Sequence, residues 1–141
     1  MTLLDTNVIS ELMKATPEPA VFSWMSLQPP GDLFISTISM AEILFGIELL
    51  PKGKRRDGLL QEAETTFRRD FAGRVLAFDE QAARTFGSIV AARRLHGRPI
   101  GIADGQIAAI ARCHQASLAT RDTGDFEGCG LRLVNPWQRG S

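Results

Sequence analysis

Cysteine and histidine are scarce in this chain, two of each in 141 residues, and neither sign of charge is in excess. Cys113 and Cys129 have neither the spacing nor the partners of a metal site. They read as two free thiols of a reducing cytoplasm rather than as a disulfide. Sixteen basic residues balance sixteen acidic ones. That argues against a dedicated duplex-DNA binder, whose domain is usually distinctly basic, but leaves room for a local basic patch. No apolar run reaches the 18 or so residues needed to cross a bilayer. The chain opens directly on Leu3-Leu4-Asp5 without a charged leader and long apolar stretch, so no signal peptide is expected and the cytoplasm is the expected location. The length fits one domain, residues 1–141, with a real core.

What is present is an alternation of short apolar runs and helical patterns. Strands are expected at residues 2–4, 33–36, 75–78 and 117–120, with a last edge strand at 131–134. Helices are expected at 8–14, 19–26, 39–50, 54–71, 79–96 and 103–115, punctuated by Pro17, Pro29-Pro30-Gly31, Pro51-Lys52-Gly53 and Gly97. Strands alternating with helices imply an α/β fold, a three-layer α/β/α sandwich around a central, mostly parallel sheet. The 39–50 helix is apolar almost all round, so it must be buried on most sides or covered by a partner. The 54–71 helix is charged and should be largely solvated.

Four acids, Asp5, Glu42, Asp104 and Asp122, sit where a strand ends or a helix begins. Each alone has an ordinary explanation. Asp5 suits an Asx turn or helix cap. Ser39-Met40-Ala41-Glu42 matches a capping box, with Glu42 reaching back to the Ser39 amide. Asp104 favours a helix dipole by only about 0.3–1 kcal/mol, and Asp122 belongs to a Thr-Arg-Asp-Thr-Gly turn. Yet Glu42 and Asp104 share helical faces with Ile38 and Phe45, and with Ile107, Ala108 and Ala111, where a carboxylate is costly. In an open parallel sheet, ligands bind beyond the carboxyl ends of the strands, so these acids can meet at one point. Two carboxylates about 4 Å apart repel by roughly 4 kcal/mol at an effective dielectric near 20. A cation makes such a cluster tolerable.

Every candidate ligand is an oxygen donor. His96 and His114 read as ordinary surface or packing residues. A pure oxygen set suits Mg²⁺, with Mn²⁺ able to substitute, rather than zinc. Four carboxylates suffice for one such ion or for two about 3.5–4 Å apart, as in phosphodiester cleavage. The hydroxyls of Thr6 and Thr120 are placed to orient a water there, and Asn7 to hold Asp5. Arg121, beside Asp122, is a candidate for contacting a scissile phosphate or for a salt bridge. Lys52, Lys54, Arg55 and Arg56 form one basic cluster, and Arg93, Arg94 and Arg98 another. Either suits an RNA backbone, although Asp57, Glu62, Glu64 and Asp70 interrupt the first as they would on a solvated face.

The opening Leu3-Leu4-Asp5-Thr6-Asn7, the helix carrying Glu42, Asp104 before Ile107-Ala108-Ala109, Thr120-Arg121-Asp122 before Phe126, and the closing Asn135-Pro136-Trp137 together resemble the PIN domain. The likeness spans essentially the whole chain and is nearest to bacterial VapC and FitB toxins. It implies an acidic quartet of Asp5, Glu42, Asp104 and Asp122, with Asp5 and Asp104 as first magnesium ligands. It also implies a metal-dependent ribonuclease, a homodimer, and inhibition by a small cognate antitoxin through which alone operator DNA is contacted. Two rival readings stand beside it: a non-catalytic module whose pocket is ordered by metal, and an aspartyl-phosphate phosphatase using Asp5 as nucleophile. Such phosphatases usually carry a second Asp two residues on, where this chain has Asn7.

Overall fold

A computed structural model describes residues 1–138. Five strands, β1 (Thr2–Leu4), β2 (Leu33–Ser36), β3 (Val75–Leu76), β4 (Ser117–Ala119) and β5 (Leu133–Val134), form one sheet in the order β3-β2-β1-β4-β5. Every neighbouring pair runs parallel. Six helices connect them: α1 (Thr6–Leu12), α2 (Pro19–Ser26), α3 (Thr37–Glu48), α4 (Lys54–Thr65), α5 (Glu80–Leu95) and α6 (Ile102–Cys113).

Strand alternation decides the layers. Leu3 and Leu4 are both fully buried yet belong to different cores. Leu4 joins Val8, Ile9, Ile35, Ile43 and Ile47 under α1–α4, whereas Leu3 joins Ile89, Ile107, Ile110 and Leu118 under α5 and α6. Each such side chain contributes about 1.5–3 kcal/mol on burial, so the central strand is anchored from both faces. The result is the expected α/β/α sandwich. The contact between α5 and α6 is close because position 105 is glycine. A Cβ there would stand 2.9 Å from Cε2 of Phe86 and 3.1 Å from Cγ2 of Val90.

Local chemistry sets the helix ends. Pro19 occupies the first turn of α2, where its missing N–H costs nothing. The Asp79 side chain caps α5 by accepting from the Ala82 amide at 2.9 Å. Gly97, at φ +72°, ends α5, with the Arg98 amide donating to the Arg93 carbonyl and Gly97 to Arg94, a Schellman closure.

Two expectations are corrected and a third is narrowed. Ser36, not Ser39, caps α3, its hydroxyl accepting from the Ser39 amide at 3.1 Å. The helix therefore starts earlier, and Glu42 lies in its second turn, where no capping box can form. The 54–71 helix stops at Thr65 and closes with a wide turn over Thr66–Asp70, in which the Phe71 amide donates to the Thr66 carbonyl at 3.0 Å. This turn swings Phe67 and Phe71 into the core, so the segment is less solvated than its charges suggest. Of the two alternatives for α3, burial on most sides or cover by a partner, the first does not hold within this chain: Phe45, and Leu49 at the C-terminal cap of α3, are 65% and 70% exposed. Among the described residues no helix is long and apolar enough to cross a membrane.

Candidate metal centre and active site

Asp5, Glu42, Asp104 and Asp122 line a single open hollow of about 460 Å³, shared with Thr6, Asn7, Ser10, Glu11, Lys14, Arg121 and Trp137. It lies beyond the carboxyl ends of the neighbouring strands β1 and β4, where the topology places ligands.

Asp5 is the most constrained member. It follows β1 and caps α1, and it is only 6% exposed. Its Oδ1 accepts from the Thr6 amide at 2.8 Å and its Oδ2 from the Thr120 hydroxyl at 2.8 Å. Cap and cluster member are therefore the same residue. Burial pushes its pKa up from 3.8 to about 6; the Thr120 and Thr6 hydrogen bonds oppose the rise, while Asp104 and Glu42 reinforce it. Asp104, half-buried in the first turn of α6, also has its pKa raised from the usual value. Burial is the main cause, followed by repulsion from Asp125, Glu42 and Asp122, which Arg93 partly offsets.

Glu42 and Asp122 are exposed. Glu42 Oε1 accepts from the Thr6 hydroxyl at 2.7 Å, and that hydroxyl also pairs with Ser39 at 2.8 Å. Asp122 Oδ2 accepts from Asn7 Nδ2 at 3.1 Å. Two supporting residues thus act differently from expectation. Asn7 orients Asp122, not Asp5, because its carbonyl oxygen accepts from the Arg121 amide at 3.4 Å and turns its amide group toward that loop. Thr120 is fully buried, so it faces no water. Its hydroxyl instead bridges Asp5 and the Asp122 amide, the latter at 3.0 Å, and ties the first of the four acids to the last.

Arg93 and Asp125 stood out less in the sequence. Arg93 is 6% exposed and sits beneath the acidic loop. Its Nη1 donates to the carbonyls of Asp125 and Glu127, each at 2.8 Å, and its Nε to that of Arg98 at 2.6 Å. Only its place within α5, on the turn shared with Ile89, could have marked it as inward-facing. The clusters around Lys52 and Arg55 lie apart from the acidic hollow. Arg55 instead borders a larger apolar groove of about 1470 Å³ between α1, α2, α3 and α4.

These residues fit a hard divalent cation. The donors are oxygens, two of the four acids are pushed toward protonation, and among the described residues no ion pair reaches any of the four. Among those residues no three acidic, histidine or cysteine side chains converge closely enough to hold a metal ion between them. The hollow is instead a bowl, suited to an ion that takes one or two carboxylates and keeps several waters.

Residues 2–128 match the PIN domain family. This chain belongs to that family. The PIN domain is 46% identical to the VapC ribonuclease Y4jK of Sinorhizobium fredii over 98% of this chain and 99% of the relative. It is 41% identical to Toxin FitB of Neisseria gonorrhoeae, over 97% and 99%. The solved structure of FitAB bound to an IR36 DNA fragment superposes with a TM-score of 0.93 at 40% identity, covering 100% of this chain and 99% of that one. The resemblance read from Leu3-Leu4-Asp5-Thr6-Asn7 and the Thr120-Arg121-Asp122 turn is thereby borne out for fold and family.

Proposed function

We propose that this PIN domain is an endoribonuclease, the toxin of a type II toxin–antitoxin pair, hydrolysing RNA phosphodiester bonds with Mg²⁺ or Mn²⁺ at Asp5, Glu42, Asp104 and Asp122. The observation that carries the reading is the gathering of these four acids, from four separated stretches of sequence, around one hollow, with no ion pair to any of them among the described residues. Relatives named ribonuclease, toxin and, in Shigella flexneri, tRNA(fMet)-specific endonuclease support the reaction class.

Asp5 and Asp104 are the ligands best placed to hold the ion, being the buried and half-buried members. Bound there, a divalent cation supplies positive charge to a phosphate and lowers the pKa of a coordinated water. The protein's part is to aim. Thr120 and the Thr6 amide fix both oxygens of Asp5, Asn7 fixes Asp122, and Thr6 fixes Glu42. Glu42 and Asp122, exposed to solvent, are positioned to orient an attacking water and take up its proton. Direct attack by water leaves a 5′-phosphate and a 3′-hydroxyl. An Asp5 held on both oxygens and buried suits a fixed ligand better than a phosphorylated nucleophile, so the phosphatase reading loses support.

The apolar groove between α1 and α4 shares Thr6, Ser10, Lys14 and Glu42 with the acidic hollow. A cognate antitoxin seated in it would abut the site and block it, and DNA would be reached through that antitoxin. The exposed Phe45 and Leu49 of α3 and Ile102 of α6 supply a homodimer contact.

The test uses purified, antitoxin-free protein on single-stranded RNA. Cleavage with Mg²⁺ or Mn²⁺, its loss with EDTA, and its loss in Asp104→Asn are expected. Absence of cleavage by the wild type, or growth arrest undiminished in Asp104→Asn, would favour a non-catalytic binding module instead.

A further inference from the structure

Arg121 presents a puzzle of placement. It precedes Asp122 and lines the acidic hollow, yet among the described residues its guanidinium takes part in no ion pair. An exposed arginine among carboxylates ordinarily folds onto the nearest one. Here one oxygen of Asp122 accepts from Asn7 at 3.1 Å, and Glu11 accepts from Lys14 at 2.9 Å and the Glu18 amide at 3.0 Å, with Arg121 acting on Glu11 only through space. The guanidinium lies instead over Trp137, its carbon 5.1 Å from the ring centroid.

That stack is built on a fixed base. The Trp137 amide donates to Asn135 Oδ1 at 2.9 Å, and Asn135 Nδ2 donates to the Arg121 carbonyl at 3.3 Å. Asn135 is only 8% exposed, and the Arg121 amide is tied to Asn7. The backbone on both sides is therefore held. A guanidinium held over a ring by the cation–π attraction still has N–H groups to donate, and a guanidinium fork can grip a phosphate with two of them.

We propose that Trp137 is a positioning residue, holding the Arg121 fork clear of the acids so that it grips a backbone phosphate of single-stranded RNA at the rim of the hollow. The inference rests on the ribonuclease reading and adds its substrate clamp. A bare acidic bowl repels a polyanion, and a fork collapsed onto Asp122 would contribute nothing to holding one.

The experiment measures binding of a fluorescein-labelled oligouridylate with Mg²⁺ present, in an Asp104→Asn background that leaves the RNA intact, across a series of KCl concentrations. Neutralising one phosphate of a single strand contributes about 0.7 to the slope of log K against log salt. Trp137→Leu and Arg121→Gln are each expected to lower the slope by about that amount. Trp137→Phe, which keeps a ring beneath the guanidinium, should retain it. Because Trp137 also packs on the core, its variants should unfold at lower temperature than the parent, and the slopes are compared at a temperature where every variant is folded. A parental slope in Trp137→Leu, or no binding by the parent, overturns the clamp. Failure of the ribonuclease reading is seen separately, as absence of cleavage by the wild type with Mg²⁺. On otherwise wild-type protein, Trp137→Leu should raise KM with little change in kcat.

Discussion

Asp5→Asn should make the metal-free protein more stable near neutral pH, although it removes a proposed metal ligand. The folded chain raises the Asp5 pKa from 3.8 to about 6. Below about pH 4 the folded and unfolded states both carry the proton, and burial of the acid costs nothing extra. Between pH 4 and 6 the unfolded chain releases a proton that the folded chain retains, so stability falls as pH rises. Above pH 6 the full penalty applies. At about 1.4 kcal/mol per tenfold in proton affinity, it amounts to roughly 3 kcal/mol. Asparagine still accepts from the Thr6 amide, and the Thr120 hydroxyl can turn to accept from its amide, so the packing survives. Thermal unfolding followed by circular dichroism in EDTA is the assay. The gap between variant and wild type should open by about 3 kcal/mol from pH 4 to pH 7.5, roughly 6–12 °C in Tm for a chain of this size. Mg²⁺ should then close the gap at pH 7.5 by stabilising the wild type alone, by about 2.7 kcal/mol at a hundredfold excess over Kd. A gap that ignores pH, or a wild type that ignores Mg²⁺, would refute the placement of a cation against Asp5.

Arg93→Met should leave the carbonyls of Arg98, Asp125 and Glu127 without their donor, at about 1–3 kcal/mol per orphaned group. Urea denaturation should show a loss of at least about 3 kcal/mol, with partial recovery in Arg93→Lys; a loss under about 1 kcal/mol would mean the arginine is not what holds that loop. Replacing both Phe45 and Leu49 by glutamate should convert a dimer to a monomer in sedimentation velocity at micromolar concentration. A wild type already monomeric, or a variant still dimeric, would move the interface elsewhere.

Much of this was legible in the residues themselves. The buried central strand shows in Leu3-Leu4, the parallel sheet in the alternation of short strands with helices, and the cluster in acids that sit at strand ends. What escaped depends on side-chain direction. Ser36 and Ser39 are both good caps by type, and only the register of β2 against β1 decides that Ser36 takes the role and frees Glu42 to meet Thr6. Asn7 lies two residues from Asp5, so local proximity suggested that pair. The actual partner, Asp122, is brought alongside by the pairing of β1 with β4. Thr120 reads like an exposed turn hydroxyl, yet it is the buried pin between Asp5 and the Asp122 amide. Arg93 looks like one more surface charge in an arginine-rich helix end, because nothing local reveals that a distant loop will lay its carbonyls over it.

The position of β1 in the middle of the sheet has a consequence for biosynthesis. The strand made first acquires one flank only when β4 and the turn beyond it exist, so neither Asp5's hydroxyl donor nor its acidic partner Asp122 is available to a shorter chain. At about 5–20 residues per second, the ribosome releases Asp122 on the order of 10 s after Asp5. A nascent or truncated polypeptide lacking that stretch holds Asp5, Glu42 and Asp104 but not Asp122. On the proposed ribonuclease reading, the full set of acids is therefore assembled only once nearly the whole chain has been made.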